Sequence, residues 1–377
     1  MIAIARRNLP FSFLNPNPFL CNSNLHFFPS IQFHSSSRIS AIYDVLIHNH
    51  QFPHELASLA ASRVTKFGTP ERADSVLSFL KENRFTTPQL QKLVLYSPLI
   101  LGYTVERLNS RLKLFQNLGI SSDENAKIVF SNPTILHSSM SNKIIPSLSI
   151  LKGLLGSNDD VARLLKKCSW FVTADLEKTL MPNVEILKSC GIPMERVLHF
   201  LYTHPRGFLV KPDILRKSVD KAVKFGVPHT SLTFIRAVIV FNHTSEGMWE
   251  VKLQTLRKLG FGEHDILAIF RKQAQVFSAS GKKMKEVIEF LLASGKYDTS
   301  SIVASPSALV CSIEKRLEPR MQILMLLESR YLIKKWPCLA VVTTLTDARF
   351  FDRFVRPHYD VIRDEHITKL FVQGIKQ

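Results

Sequence analysis

Hydrophobic residues recur at helical spacing in short stretches of this chain, and proline or glycine interrupts the stretches. Ala126, Val129 and Phe130 fall on one face of a predicted first helix. Leu148 and Leu151 fall on one face of a predicted second helix. Apolar and polar residues nowhere alternate as they do in a half-buried strand. The pattern therefore predicts an all-α fold.

The predicted helices begin and end at residues that suit helix ends. Ser122 and Asp123 can cap the first helix, and Pro133 ends it, because the residue before a proline is disfavoured in the α region. The segment PTILHSS is too short for a full helix and predicts a turn or a 3₁₀ segment. The second helix is predicted to end at Gly153 or Gly156. Equivalent helix-ending glycines follow at Gly191, Gly226, Gly260 and Gly295.

This arrangement repeats along the chain about every 35 residues. The repeated position, called the marker here, is occupied by Pro98, Pro133, Ser169, Pro205, Asn242, Gln275 and Pro306, with degenerate copies at Asn242 and Gln275. The intervals between markers are 31–37 residues. A fixed period of this size indicates a stack of similar helical units that bury a continuous core. We therefore predict a helical repeat array of about seven units over residues 70–345.

The chain is strongly basic. Its 49 Lys and Arg outnumber its 31 Asp and Glu, which gives a net charge of +18. This excess favours polyanionic partners, nucleic acid first and an anionic membrane surface second. No run of 18 apolar residues occurs, so the sequence predicts no membrane insertion.

Candidate catalytic and metal-binding chemistry is missing from the sequence. The five cysteines are scattered and form no CxxC pair, which argues against a disulfide framework and a zinc site. The sequence contains no glycine-rich phosphate loop after a strand, no HExxH and no GxSxG. We therefore expect no metal, no cofactor and no enzymatic activity.

The N-terminal segment has the composition of an organellar transit peptide. The first acidic residue is Asp44, and Arg6, Arg7 and Arg38 precede it among many Ser, Asn and Phe residues. We predict a transit peptide over residues 1–40. The early arginine pair and the aromatic residue before HSSS favour the mitochondrion, with the chloroplast as the alternative. Residues 41–69 are predicted to be a linker or N-terminal segment, and residues 346–377 a C-terminal tail.

Basic residues follow the same period as the markers. One basic side chain lies nine to eleven residues after each marker: Arg107, Lys143, Lys178, Arg216, Lys252, Lys285 and Lys315. Four more thicken the pattern: Arg111, Lys217, Lys283 and Arg316. A periodic line of positive charge complements a phosphate backbone, so we predict a nucleic-acid-binding stripe at the start of the second helices. A single lysine on a solenoid helix is more commonly a solvated surface residue.

The marker prolines, a second proline thirteen residues later at Pro146, Pro182 and Pro319, and the closing glycines resemble the mTERF repeat of the mitochondrial transcription termination factor family. The stretch SIEKRLEPRMQILMLLESRYL, followed by FFDRFVRPHYD, is similar to the last repeat and tail of plant members. The resemblance covers residues 70–360. It implies a right-handed α-solenoid of paired helices with a short 3₁₀ turn, curved like half a doughnut.

Members of the family bind nucleic acid in organelles, so the resemblance implies a role in organellar gene expression. Our first hypothesis is binding of double-stranded DNA with a role in transcription regulation and termination. The alternatives are an RNA-binding factor in intron splicing or ribosome biogenesis, and a helical scaffold that binds a protein. We expect a monomer, with other gene-expression proteins of the organelle as further partners.

Overall fold

The computed structural model describes residues 37–64 and 68–366, together with Thr368 and Phe371. These residues form helices joined by short turns, and none of them lies in a β-strand. The all-α repeat solenoid predicted from the sequence is confirmed. The right-handed coil and the half-doughnut outline stay predictions. Of the predicted transit peptide, residues 1–36 lie outside the described residues.

Paired helices follow one another along the chain. Those of the N-terminal half are α1 (Ser37–His48), α2 (His54–Arg63), α3 (Pro70–Glu82), α4 (Thr87–Tyr96), α5 (Val105–Gln116), α6 (Ser122–Ser131), α7 (Ile145–Leu155), α8 (Asn158–Lys167), α9 (Leu180–Ser189) and α10 (Met194–Thr203). Those of the C-terminal half are α11 (Pro212–Lys224), α12 (Phe234–His243), α13 (Glu246–Lys258), α14 (Glu263–Gln273), α15 (Gly281–Ala293), α16 (Thr299–Ala304), α17 (Glu318–Ser329), α18 (Leu339–Thr344), α19 (Asp347–Phe350) and α20 (Tyr359–Ile362). Short π-helical turns at Met140–Ile144, Ile313–Leu317 and Phe351–Val355 lie beside α7, α17 and α19.

Five markers begin 3₁₀ helices that separate the first helix of a unit from the second, and Gln275 is the second residue of a sixth such helix. Such helices span Pro98–Gly102, Pro133–Leu136, Ser169–Val172, Pro205–Phe208, Ala274–Ser278 and Pro306–Val310. Proline suits the first position of a helix because its missing N–H would have no partner there. The marker at Asn242 is different, since it lies inside α12 and Ser245 caps α13 directly afterwards. That unit therefore has no 3₁₀ turn, which corrects the prediction for it.

A residue in the left-handed conformation ends each second helix. Glycines hold this position at Gly119, Gly156, Gly191, Gly226, Gly260 and Gly295, with φ between +65° and +89°. Gly153 is an interior residue of α7, so Gly156 is the terminator there. The same position is taken without glycine by Gln51, Arg84 and Tyr331. Neighbouring left-handed residues are 33–37 apart, so the period runs from the end of α1 to the end of α17.

The two helices of each unit build two layers. First helices pack side by side, as α6 with α8 and α8 with α10, and second helices do the same, as α9 with α11 and α13 with α15. Buried aliphatic and aromatic side chains fill the space between the layers. Residues 41–69, predicted to be a linker, contain most of α1 and all of α2, which pack on α3 and α4. The limits assigned to the domains from the sequence stay predictions.

The unit without a 3₁₀ turn is filled by aromatic side chains. Helix α12 is buried on almost every side. Phe225, Phe241, Trp249, Phe270 and Phe277 contact one another there, with neighbouring ring centroids 4.8–5.5 Å apart. Trp249 is 7% exposed and belongs to this core. Because Trp249 is buried, its ring is not available at the surface to stack on a ligand.

Gly226 carries a close contact that the other left-handed glycines lack. A Cβ at Gly226 would lie 2.5–2.8 Å from the guanidinium of Arg271, whose Nε donates to the Phe225 carbonyl at 2.9 Å. A Cβ at Gly156 would meet nothing within 4 Å. Both Gly→Ala substitutions should cost about 1–2 kcal/mol of backbone strain. Gly226→Ala should cost about 1 kcal/mol more, because Arg271 must leave its carbonyl partner.

Urea unfolding followed by circular dichroism measures this difference. In an Arg271→Ala background, the two glycine variants should become equally destabilising. A Gly226→Ala variant no less stable than Gly156→Ala in the wild-type background would show that the Arg271 contact contributes nothing.

Candidate nucleic-acid interface

Arg111 does not lie on the surface that the sequence assigned to it. Its side chain is 6% exposed and points from α5 to the 3₁₀ turn of the next unit. There Nε donates to the Ile135 carbonyl at 3.3 Å and Nη2 to the Ser138 carbonyl at 2.8 Å. Its Nη1 donates to the Arg107 carbonyl at 2.8 Å. The guanidinium is therefore used inside the protein and is not available to a phosphate.

Lys252 also donates to a carbonyl of the next unit. Asn183, at the same position two units before Lys252, does the same. Each of Arg111, Asn183 and Lys252 lies eight residues before the left-handed residue of its unit. Lys252 Nζ donates to the Phe277 carbonyl at 2.5 Å, and burial lowers the pKa of this ammonium group. Asn183 Nδ2 donates to the Phe208 and Val210 carbonyls at 3.0 and 2.8 Å. In these three units, this position therefore ties the second helix to the turn that follows.

Two further members of the predicted stripe are only partly exposed and also donate to carbonyls near the end of a short helix of the next unit. Lys283 Nζ donates to the Val310 carbonyl at 2.9 Å, and Arg316 Nη1 to the Thr343 carbonyl at 2.9 Å. The final carbonyls of a short helix have no partner within that helix, so a donor from the preceding unit satisfies them. Some of the basic residues therefore recur once per unit because these carbonyl groups recur once per unit and need a donor. Arg111 and Lys252 are removed from the predicted phosphate contacts, and Lys283 and Arg316 have at least one structural role.

The exposed members of the stripe do not share one position. The seven basic residues found nine to eleven residues after a marker lie at different distances, from 8 to 16 residues, before the left-handed residue of their units. Lys178, Arg216 and Lys285 form ion pairs with a carboxylate close in sequence, with N–O distances of 3.1, 3.3 and 3.7 Å. The Arg107 guanidinium covers the Tyr103 ring at 3.9 Å. Lys217 and Lys315 are exposed, and Lys143 is half-buried.

A better ordered set of basic side chains lies on the first helices. Lys92, Lys127, Arg163 and His199 are each the sixth residue of a ten-residue helix, in α4, α6, α8 and α10. Each is six residues before the marker of its unit, and all four are exposed. Because first helices pack side by side, residues at one position form a line across them. We call these four residues the first-helix row.

Acidic residues occupy the first turns of α6 and α8, one turn before Lys127 and Arg163. Lys127 has no ion-pair partner among the described residues, and Lys92 Nζ lies 5.9 Å from the centroid of the Phe130 ring. Arg163 pairs with Asp160 at 2.6 Å and covers the Tyr202 ring at 4.2 Å. Hydrogen bonding from Ser157, and then the charge of Arg163, lower the pKa of Asp160. Lys92 and Lys127 therefore form no ion pair among the described residues and can attract an anion.

The positive surface continues from His199 towards α12. Arg236 is one of the exposed residues of α12. Desolvation, followed by the charges of Arg236, His243 and His199, lowers the pKa of His204. Desolvation and the charge of Arg206 lower the pKa of His243. Both imidazoles are therefore neutral near pH 7, and Arg206 and Arg236 carry the positive charge of this end.

The sequence contained the signal for the first-helix row. The markers that set the period also locate these four residues, six positions before the marker rather than nine to eleven after it. Period alone could not choose between the two sets, because both repeat with the units. Burial and hydrogen-bond partners separate them.

Within the described ranges, no helix is both long enough and apolar enough to cross a bilayer. Among those residues, no three His, Cys, Asp or Glu side chains come together in a group that could hold a metal ion.

Comparison with known proteins identifies similarity along most of the chain. The mTERF family model matches residues 29–233 and 174–351. The transcription termination factor MTERF8, chloroplastic, of Arabidopsis thaliana is 22% identical over 250 residues. The aligned part makes up 66% of this chain and 42% of that relative, so the chain spans less than half of the relative's length.

Proposed function

Because the chain belongs to the mTERF family, we propose that it is a nucleic-acid-binding protein that regulates gene expression in an organelle. The observation that carries this proposal is the first-helix row. Lys92, Lys127, Arg163 and His199 present a basic side chain at the same exposed position of four consecutive first helices. A phosphate backbone is the polyanion whose charge repeats along a line.

The spacing of the row suits this partner. Helices that pack side by side lie about 8–10 Å apart, so the row spans about 27 Å over its three steps. Arg236 adds positive charge at the end towards α12. The net charge of +18 would attract a polyanion over a longer range. These features support contact with several phosphates along one backbone.

For the process, we infer a role in transcription, including its termination. The similar protein from Arabidopsis thaliana is named as a transcription termination factor. Double-stranded DNA is the first hypothesis from the sequence. RNA is the alternative, with intron splicing or ribosome biogenesis as the process. A row of cations accepts the phosphates of either, so charge alone does not choose between them. We expect no enzymatic activity.

For the location, we propose an organelle. The similar protein is chloroplastic, which favours the chloroplast over the mitochondrion, the first choice from the sequence. Fusion of residues 1–60 to a fluorescent protein in plant cells distinguishes the two by colocalisation with organelle markers. Fluorescence that stays in the cytosol would contradict the proposal of an organellar location.

Salt dependence of binding tests the proposed function. The full chain is titrated against fluorescently labelled duplex and single-stranded oligonucleotides between 50 and 200 mM salt. Four phosphate contacts predict a loss of affinity of roughly 10²-fold over this range. An affinity that does not change with salt would exclude both nucleic-acid hypotheses and favour the protein-binding scaffold.

A further inference from the structure

We propose that the first-helix row binds a single strand of nucleic acid, whose bases stack on aromatic rings that lie between the cations. This inference rests on the proposed function, and it names the form of the nucleic acid that the row recognises. The cations would hold the phosphates, and the rings would hold the unpaired bases.

The rings occupy one position in the repeat. Phe130 and Tyr202 are each the ninth residue of their first helices, α6 and α10, three residues after a member of the row. Both are partly exposed. Each lies beside the cation of the preceding first helix, with Lys92 Nζ 5.9 Å from the Phe130 centroid and Arg163 Cζ 4.2 Å from the Tyr202 centroid. One ring therefore lies beside Lys92 and another beside Arg163, whereas the corresponding residue of α8 is Lys166, which pairs with Glu124 at 2.8 Å.

The ring position stays partly apolar at the N-terminal end of the row. Leu95 is the corresponding residue of α4 and is 51% exposed, and its neighbour Tyr96 is 39% exposed. Exposed leucine and tyrosine side chains beside Lys92 give this end an apolar surface as well as charge. Duplex phosphates would make no use of such a surface.

The chemistry of the two side-chain types favours an unpaired strand. The face of an unpaired base can stack on a ring, and every base has such a face. In a duplex, neighbouring base pairs cover these faces, so the rings would gain little. A basic surface with interleaved aromatic side chains is how proteins hold single strands without reading their sequence.

The direction of the row supports the same conclusion. The row follows the stacking direction of the first helices for about 27 Å. One strand of a duplex turns once about its axis in roughly 34–36 Å, so over the length of the row it would make about three quarters of a turn and would lie on the far side near the middle of the row. A flexible single strand can follow the row from Lys92 to His199.

Removing the rings while keeping apolar bulk tests the proposal. The full chain with Phe130→Leu and Tyr202→Leu is compared with the wild type by fluorescence anisotropy. The probes are a labelled 15-nucleotide RNA without secondary structure, the single-stranded DNA of the same sequence, and its 15-base-pair DNA duplex. We expect the wild type to prefer the single strands, and the double variant to bind them roughly 10²-fold more weakly with unchanged duplex affinity.

Two further variants control for packing. Tyr331→Leu removes a tyrosine that is 93% exposed at the end of α17, outside the first helices, and should leave all affinities unchanged. Phe130→Tyr with Tyr202→Phe keeps both rings and should keep single-strand affinity. If the double leucine variant loses helicity, photocrosslinking of the wild type to 4-thiouridine-labelled RNA replaces it, and crosslinks should map to the peptides of α6 and α10.

The outcomes separate this inference from the function on which it rests. Tighter binding of the duplex than of single strands, an equal loss on every probe, or crosslinks confined to second helices would each overturn the single-strand inference and leave the proposed function intact. Binding of no probe in a salt-dependent manner would overturn the proposed function itself.

Discussion

Reversing three charges of the first-helix row, with Lys92→Glu, Lys127→Glu and Arg163→Glu together, is expected to weaken nucleic-acid binding by roughly 10²- to 10³-fold at 100 mM salt. Each substitution removes one phosphate contact and places a negative charge beside the backbone. All three side chains are exposed. The measurement is a titration of labelled oligonucleotide by fluorescence anisotropy, with circular dichroism to show that helicity is retained.

A matched variant on the second helices controls for net charge. Lys178→Glu, Arg216→Glu and Lys285→Glu change the charge by the same amount at positions that already pair with Asp175, Asp213 and Glu289. We expect a much smaller loss of affinity, caused only by the weaker long-range field. A larger loss of affinity in this variant than in the row variant would show that the interface lies on the second helices.

Replacing Arg320 by methionine is expected to lower the free energy of unfolding by about 3–5 kcal/mol, because it breaks a buried ion pair. The Arg320 side chain is fully buried. Its Nη1 donates to the Val342 carbonyl at 2.7 Å, and its Nη2 to Asp347 Oδ1 at 2.5 Å. The guanidinium also covers the Phe350 ring at 4.9 Å. This one side chain therefore joins α17 to α18 and α19.

Arg316 supplies the comparison for this prediction. It lies four residues earlier, is partly exposed, and donates to the neighbouring Thr343 carbonyl. Arg316→Met should cost about 1 kcal/mol, the value of a typical hydrogen bond. Guanidinium chloride unfolding of the two variants gives both values. An Arg320→Met variant as stable as Arg316→Met would contradict the importance of the buried pair.

The repeat units could be predicted from sequence because local residues determine where their helices end. Pro133 and Pro205 begin 3₁₀ helices, and Gly191 and Gly226 adopt the left-handed conformation that glycine tolerates. At Arg84 and other non-glycine terminators, the surrounding structure imposes this conformation, so no local signal exists. The missing turn at α12 also escaped prediction, since its cause is the packing of aromatic residues from several helices.

The candidate site was less predictable, because the sequence shows which residues are charged but not how deeply each side chain is buried. Arg111 and Lys252 follow the period of the repeat as regularly as Lys127 does, yet the first two donate to buried carbonyls. A carbonyl of the next unit and a phosphate of a ligand both require a donor once per unit. Only burial, hydrogen-bond partners and the stacking of helices show which requirement each basic residue meets.

The salt dependence of binding in a neutralised row tests the central claim most directly. The slope of log Kobs against log salt is measured for the wild type and for Lys92→Gln, Lys127→Gln and Arg163→Gln combined. Three phosphate contacts on the first-helix row predict a slope that is smaller in magnitude by about 2–3 in the variant. Equal slopes for the two proteins would show that these residues contact no phosphate and would contradict the account.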